Sequence, residues 1–107
     1  MKSSQILLKA AKLLETKGWC KTWYALDKDG NSCDVTDSEA SRFCMLGAVY
    51  NVTQTQCVGA GSAVSYIHKV LSGKTTYVSN WNDEQKRKRP VISALRKASK
   101  LALNVGD

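Results

Sequence analysis

Cys20, Cys44 and the only histidine, His68, are the residues from which a thiol nucleophile and its base could be assembled. Such a dyad needs thiol and imidazole within hydrogen-bond reach, and a third group that orients the ring. His68 stands beside Ile67 in a stretch of helical spacing, and no local motif brings either cysteine to it. The sequence therefore reads His68 as a helix-surface or packing residue. No catalytic residue is assigned, and a thiol enzyme centred on Cys44 is kept only as the last of three readings.

The four cysteines, Cys20, Cys33, Cys44 and Cys57, follow one another at intervals of 13, 11 and 13 residues. Structural zinc sites use much closer pairs, so no metal is expected. Four cysteines permit three disulfide pairings. In a reducing compartment they are better read as buried, small, apolar thiols. The run Asp27-Lys28-Asp29-Gly30-Asn31 sets oxygens at alternate positions, as a calcium loop does. However, Ser32 stands where that loop needs its glycine and Ser38 where it needs a bidentate Glu. An Asp-Gly turn accounts for the same residues. Gly59-Ala60-Gly61-Ser62 lacks the lysine of a phosphate loop and the third glycine of a dinucleotide turn. No cofactor is expected.

Charge and aromatic rings are more informative. The chain carries 16 Lys and Arg against 9 Asp and Glu, a formal charge of +7. Lys86, Arg87, Lys88, Arg89, Arg96, Lys97 and Lys100 all fall after residue 83, where they face only Glu84 and Asp107. Cations gathered at the start and on the outer side of a helix could grip phosphates, so these seven are candidate binding residues. Trp19, Trp23, Tyr24 and Trp81 flank predicted turns. Trp19 and Trp81 are expected to roof the core. Trp23 and Tyr24, beside a hairpin turn, are expected to be exposed and to anchor a protein partner.

These side chains need a scaffold. Residues 4–17 place Ile6, Leu7, Ala10, Leu13 and Leu14 at helical spacing, and Gly18 ends the helix. Residues 19–26 and 32–35 predict a β-hairpin about the Asp-Gly turn. Thr36-Asp37-Ser38-Glu39 has the form of a capping box opening a second helix, which carries Ala40, Phe43, Cys44, Gly47 and Ala48. Met45, Leu46, Val49 and Tyr50 make its other side apolar as well, so this helix is expected at the centre. A close approach by another helix would justify Gly47. Residues 51–58 read as a loop, residues 59–71 as a third helix and residues 75–78 as a short extended piece. Asn82 and Gln85 are set at cap spacing. Pro90 forbids an unbroken helix from Asn82, so the last helix is expected to begin near Pro90. Its stripe is Val91, Ala94, Leu95, Ala98, Leu101 and Ala102.

At 107 residues and 43% hydrophobic content the chain has room for one domain, residues 1–107, with one modest core. No run is long and apolar enough for a membrane span. Lys9 and Lys12 interrupt the apolar start before it can serve as a signal peptide. A cytoplasmic protein is expected.

Gly18-Trp19-Cys20 after a Leu/Ala helix, Phe43-Cys44-x-x-Gly47-Ala48, and Trp81-Asn82-Asp83 before a second Leu/Ala helix form an ordered series. The series resembles a family of small proteins from bacteriophages and actinobacteria known only as a domain of unknown function. That resemblance runs from about Ile6 to Ala102. It implies a stand-alone accessory protein in the host cell cytoplasm, with no established enzyme activity, cofactor or ligand. By analogy with other phage-borne proteins, it suggests one that occupies a host protein or complex, including a defence system. Within the motif, Trp81 is expected to plug the core and Asn82 or Asp83 to cap the turn that follows.

The expected fold is mainly α: a compact bundle of about four helices with a short β-hairpin between helices 1 and 2. The expected function is non-enzymatic binding of a host protein through Trp23, Tyr24 and residues 86–89. A nucleic-acid-binding module using the same basic residues with Arg96, Lys97 and Lys100 is the alternative.

Overall fold

A computed structural model describes residues 1–55, 61–74 and 77–107. The chain runs α1 (Ser3–Thr16), β1 (Gly18–Trp19), β2 (Ala25–Asp27), β3 (Ala40–Phe43), α2 (Met45–Thr53), α3 (Ser62–Val70), α4 (Val78–Glu84) and α5 (Arg89–Asn104). The fold is mainly helical as expected. Among the described residues there are five helices rather than four, because Val78–Glu84 forms a helix of its own ahead of Pro90.

The two long helices follow directly from their apolar stripes. Leu7, Ala10, Ala11 and Leu14 of α1 are fully buried, and so are Val91, Leu95, Ala98 and Ala102 of α5. The two helices lie antiparallel. Lys88, just ahead of α5, sends its ammonium to the Glu15 and Lys17 carbonyls at the end of α1. At the other end the Ser99 hydroxyl donates to the Ser4 carbonyl at 2.8 Å. The Ser3 and Ser4 amides donate to the Asp107 carboxylate and carbonyl respectively. The buried serines of this seam are thus paired, which removes the cost of hiding their polar atoms.

The expected hairpin is replaced by a three-stranded mixed sheet of order β1-β3-β2. The Asp-Gly turn is present. Gly30 takes φ +85° and Asp27 Oδ1 accepts from the Asp29 and Asn31 amides. Pairing beyond the turn stops at a single bridge, Leu26 to Ser32. Instead β2 pairs antiparallel with β3, and β1 pairs parallel with β3.

Residues 40–43 are therefore strand, which overturns the expected helix start at the Thr36–Glu39 box. Ala40 and Phe43, buried three residues apart, match helical spacing rather than strand alternation, and pairing on both edges overrides that local signal. The helix begins five residues beyond Ala40, at Met45, with Cys44 as its cap: Cys44 Sγ accepts from the Gly47 amide at 3.3 Å. Centrality was expected and holds, since Met45, Gly47, Ala48, Val49 and Tyr50 are all buried. The helix continues to Thr53, past the expected loop start at residue 51. Part of the expected third helix and of the extended piece lies outside the described residues. The rest of the third helix is α3, with Ala63 and Ile67 in the core and Leu71 buried just past its end.

Candidate functional site

The segment between β1 and β2, residues 20–24, is short and carries two adjacent exposed aromatics. Trp23 is 55% and Tyr24 41% accessible. Such exposure would ordinarily go with a loose loop, yet this backbone is pinned along its length. Cys20 N–H donates to the Phe43 carbonyl, and the Cys20 thiol to the Trp23 carbonyl at 3.3 Å. Thr22 N–H donates to Asp83 Oδ1 at 3.0 Å. The Tyr24 carbonyl accepts from Cys44 N–H at 3.2 Å. Thr22 has φ +77°, a conformation that costs a β-branched residue roughly 1–3 kcal/mol and persists only where its surroundings hold it. Tyr24 also stacks edge-on against Tyr50, ring centroids 5.5 Å apart.

Asn82 is the hub beneath this ledge. It is 1% exposed and lies in the last turn of α4. Its Oδ1 accepts from the Trp19 indole at 2.8 Å and from Met45 N–H at 3.0 Å. Its Nδ2 donates to the Cys20 carbonyl at 3.2 Å and to Asp83 Oδ1 at 3.1 Å. All four hydrogen bonds an amide can make are used. The expected role, a cap for the following turn, is corrected: the Asn82 side chain caps the start of α2, 37 residues away. It does so because α4 carries it inside the fold, where Met45 N–H has no helical partner. Trp81 is half-buried against the core, as is Trp19, whose ring also lies 5.6 Å from the Lys21 ammonium.

Gly47 completes the arrangement. A Cβ there would lie 1.8 Å from the Tyr24 carbonyl oxygen, so α2 approaches the ledge backbone more closely than any side chain permits. The neighbour that explains Gly47 is this loop rather than the helix the sequence suggested.

Two hollows flank the ledge. One, of about 380 Å³, is lined by Thr22, Trp23, Tyr24, Cys44, Ser79 and Asp83. The other, about 270 Å³, lies between the same aromatics and Ser32, Cys33 and Asp34. The thiols nearby are quiet. Burial pushes Cys20 up to about 12 and Cys44 up to about 11, so both stay protonated through the neutral range. An activated nucleophile needs the opposite shift. Cys33 is also raised, by burial and then by Asp37. Cys57 lies outside the described residues. Among those described, no group of three or more His, Cys, Asp or Glu could hold a metal ion. His68 is exposed near the end of α3.

The basic residues fall in a separate place. Lys88, Arg89 and Arg96 line a groove of about 460 Å³ with Glu15, Ile92 and Ser93. An adjoining hollow of about 390 Å³ takes Leu8, Lys9 and Lys12 of α1, with Glu15 and Arg96 again. Arg96 is ion-paired with Glu15, and Lys88 is half-buried on the α1 carbonyls. Lys86, Arg87, Arg89, Lys97 and Lys100 are exposed. Lys9 and Lys12 belong to this face although they sit far from the C-terminal cluster in sequence. The antiparallel α1–α5 packing brings them in.

A family model matches residues 1–101. The chain belongs to DUF6197, a family of unknown function. No curated protein and no solved structure matches it. Membership of DUF6197 spans the ledge, the Asn82 hub and most of α5. Among the described residues no helix is long and apolar enough to cross a membrane.

Proposed function

We propose that this member of DUF6197 is a binding protein without catalytic chemistry of its own, which docks a protein partner on the Trp23–Tyr24 ledge. The observation that carries the reading is the combination of two adjacent, exposed rings with a backbone pinned from Cys20 to Tyr24. Aromatic anchors dominate protein interfaces, and an anchor already fixed in place loses little freedom on binding. The protonated state of Cys20 and Cys44 supports the non-enzymatic side of the reading. A phage-borne protein occupying a host complex is the form of this function that the family resemblance suggests.

The test is affinity capture from a nuclease-treated lysate of the source cells, using wild type, Trp23→Ala and Tyr24→Ala. A stoichiometric protein retained by wild type and lost with either folded variant is expected. Capture that is unchanged in both variants refutes the proposal.

One observation favours a second reading, a nucleic-acid-binding face on α1 and α5. Lys9, Lys12, Arg89 and Arg96 share adjoining hollows in which Glu15 is the one carboxylate among the lining residues. Retention of DNA or RNA at ~50 mM salt, abolished by Glu at positions 86–89, is the expected result; no retention by wild type sinks it.

A further inference from the structure

We infer that the group received beside the ledge is a cationic side chain, arginine or lysine, of the protein partner; this rests on the docking reading above and specifies its chemistry. The charge of the chain is strongly divided in space. Residues 27–39 hold five carboxylates, Asp27, Asp29, Asp34, Asp37 and Glu39, against one lysine, Lys28. The excess cations lie elsewhere, many on the α1–α5 face.

Each hollow flanking the ledge holds one carboxylate among its lining residues, Asp83 on one side and Asp34 on the other, and neither is lined by Lys or Arg. Two cations on the ledge and its neighbouring strand are placed elsewhere. The Lys21 ammonium lies over the Trp19 ring, and the Arg42 side chain lies across Gly18. Asp83 accepts from Thr22 N–H and Asn82 Nδ2, in both cases at Oδ1. Among the described residues Oδ2 has no hydrogen-bond partner. Trp23 and Tyr24 line the same hollow. An aromatic face together with a carboxylate is the arrangement that attracts a guanidinium or ammonium, one by its ring quadrupole and the other by a charge-assisted hydrogen bond. Arginine fits both, since its flat fork stacks and donates at once. The net charge of +7 gives a cation no general attraction to the chain, so binding here must be local.

The test uses a defined probe, the capped tripeptide Gly-Arg-Gly, and its uncharged twin with citrulline in place of arginine. Amide and indole N–H signals of Thr22 and Trp23 are followed by NMR during titration. Saturable shifts with the arginine peptide and none with the citrulline peptide are expected. Asp83→Asn, which keeps the Oδ1 acceptor, and Asp34→Asn together should weaken the response about tenfold, the order expected for a lost charge-assisted bond. Asp34→Asn alone guards against loss of fold, because no hydrogen bond is made by the Asp34 carboxylate among the described residues. Equal response to both peptides, no saturable shift, or an unaltered response in the double variant overturns the inference. Partner capture lost in Trp23→Ala but intact in the double variant removes the cationic inference and leaves the docking reading standing. Capture intact in every variant removes both.

Discussion

Trp19 and Asn82, 63 positions apart, meet through a 2.8 Å hydrogen bond from the indole N–H to the amide oxygen, and the same oxygen caps α2. This one contact joins β1, α2 and α4 beneath the exposed ledge. Replacing Asn82 by Ala leaves the Met45 amide and the Trp19 indole without their acceptor. Each unpaired buried group costs about 1–3 kcal/mol, so roughly 3 kcal/mol of stability should be lost. Chemical denaturation followed by far-ultraviolet dichroism measures it. A variant as stable as wild type would show that water replaces the amide without cost.

Gly47→Ala reverses the usual sign. In an ordinary helix interior the change gains about 1 kcal/mol. Here the added methyl would meet the Tyr24 carbonyl oxygen at 1.8 Å. The expected result is a loss of at least ~2 kcal/mol with displacement of the ledge. Denaturation midpoints give the first, and a changed Trp23 emission the second.

Cys44 offers a test that separates a cap from a nucleophile. Serine is a preferred N-cap, so Cys44→Ser should stay within ~0.5 kcal/mol of wild type, while Cys44→Ala should lose about 1–2 kcal/mol. Partner capture should survive in both. A folded Cys44→Ser variant that has lost function would overturn the capping role.

The raised thiols give a pH dependence with a definite sign. A thiol held above its ordinary value of 9.0 in the folded state favours folding below that value. The contribution disappears as the pH climbs through about 11 for Cys44 and about 12 for Cys20. Ultraviolet thiolate absorbance of the native protein should therefore stay low through the neutral range, then rise late as the protein loses stability. Early titration near 9 of either thiol would contradict their burial.

Asp107 acts at the opposite end of the scale. Hydrogen bonds from Ser3, main chain first, hold its carboxyl below the ordinary value of 3.8, and the negative charge sits at the start of α1. Its contribution is present above the ordinary value and is lost as the pH falls through the lowered one. Asp107→Asn should lower the melting temperature at neutral pH and narrow the gap from wild type on acidification. A gap that does not change with pH would refute the carboxylate's role.

How much of this was legible from residues alone depended on range. The α1 and α5 stripes repeat over three or more turns, and the 3.6-residue period is unambiguous at that length. Trp23 and Tyr24 could be placed at the surface because a turn signal stood beside them. The sheet was not legible, since two- to four-residue strands have no measurable alternation and β1 finds its partner more than twenty residues on. Asn82 could be singled out within Trp81-Asn82-Asp83, yet its side-chain partners at Trp19, Cys20 and Met45 follow from tertiary packing. The C-terminal cations were visible as a run, whereas Lys9 and Lys12 join them only once two helices pack antiparallel. The acidic counterpart in residues 27–39 could have been found by counting carboxylates as the cations were counted.

The seam that ties Ser3 and Ser4 to Asp107 brings residues 104 positions apart in sequence to one corner of the molecule. A probe placed beside residue 3 and another placed beside residue 107 would therefore report on the same patch of surface, and on the same bond to the start of α1.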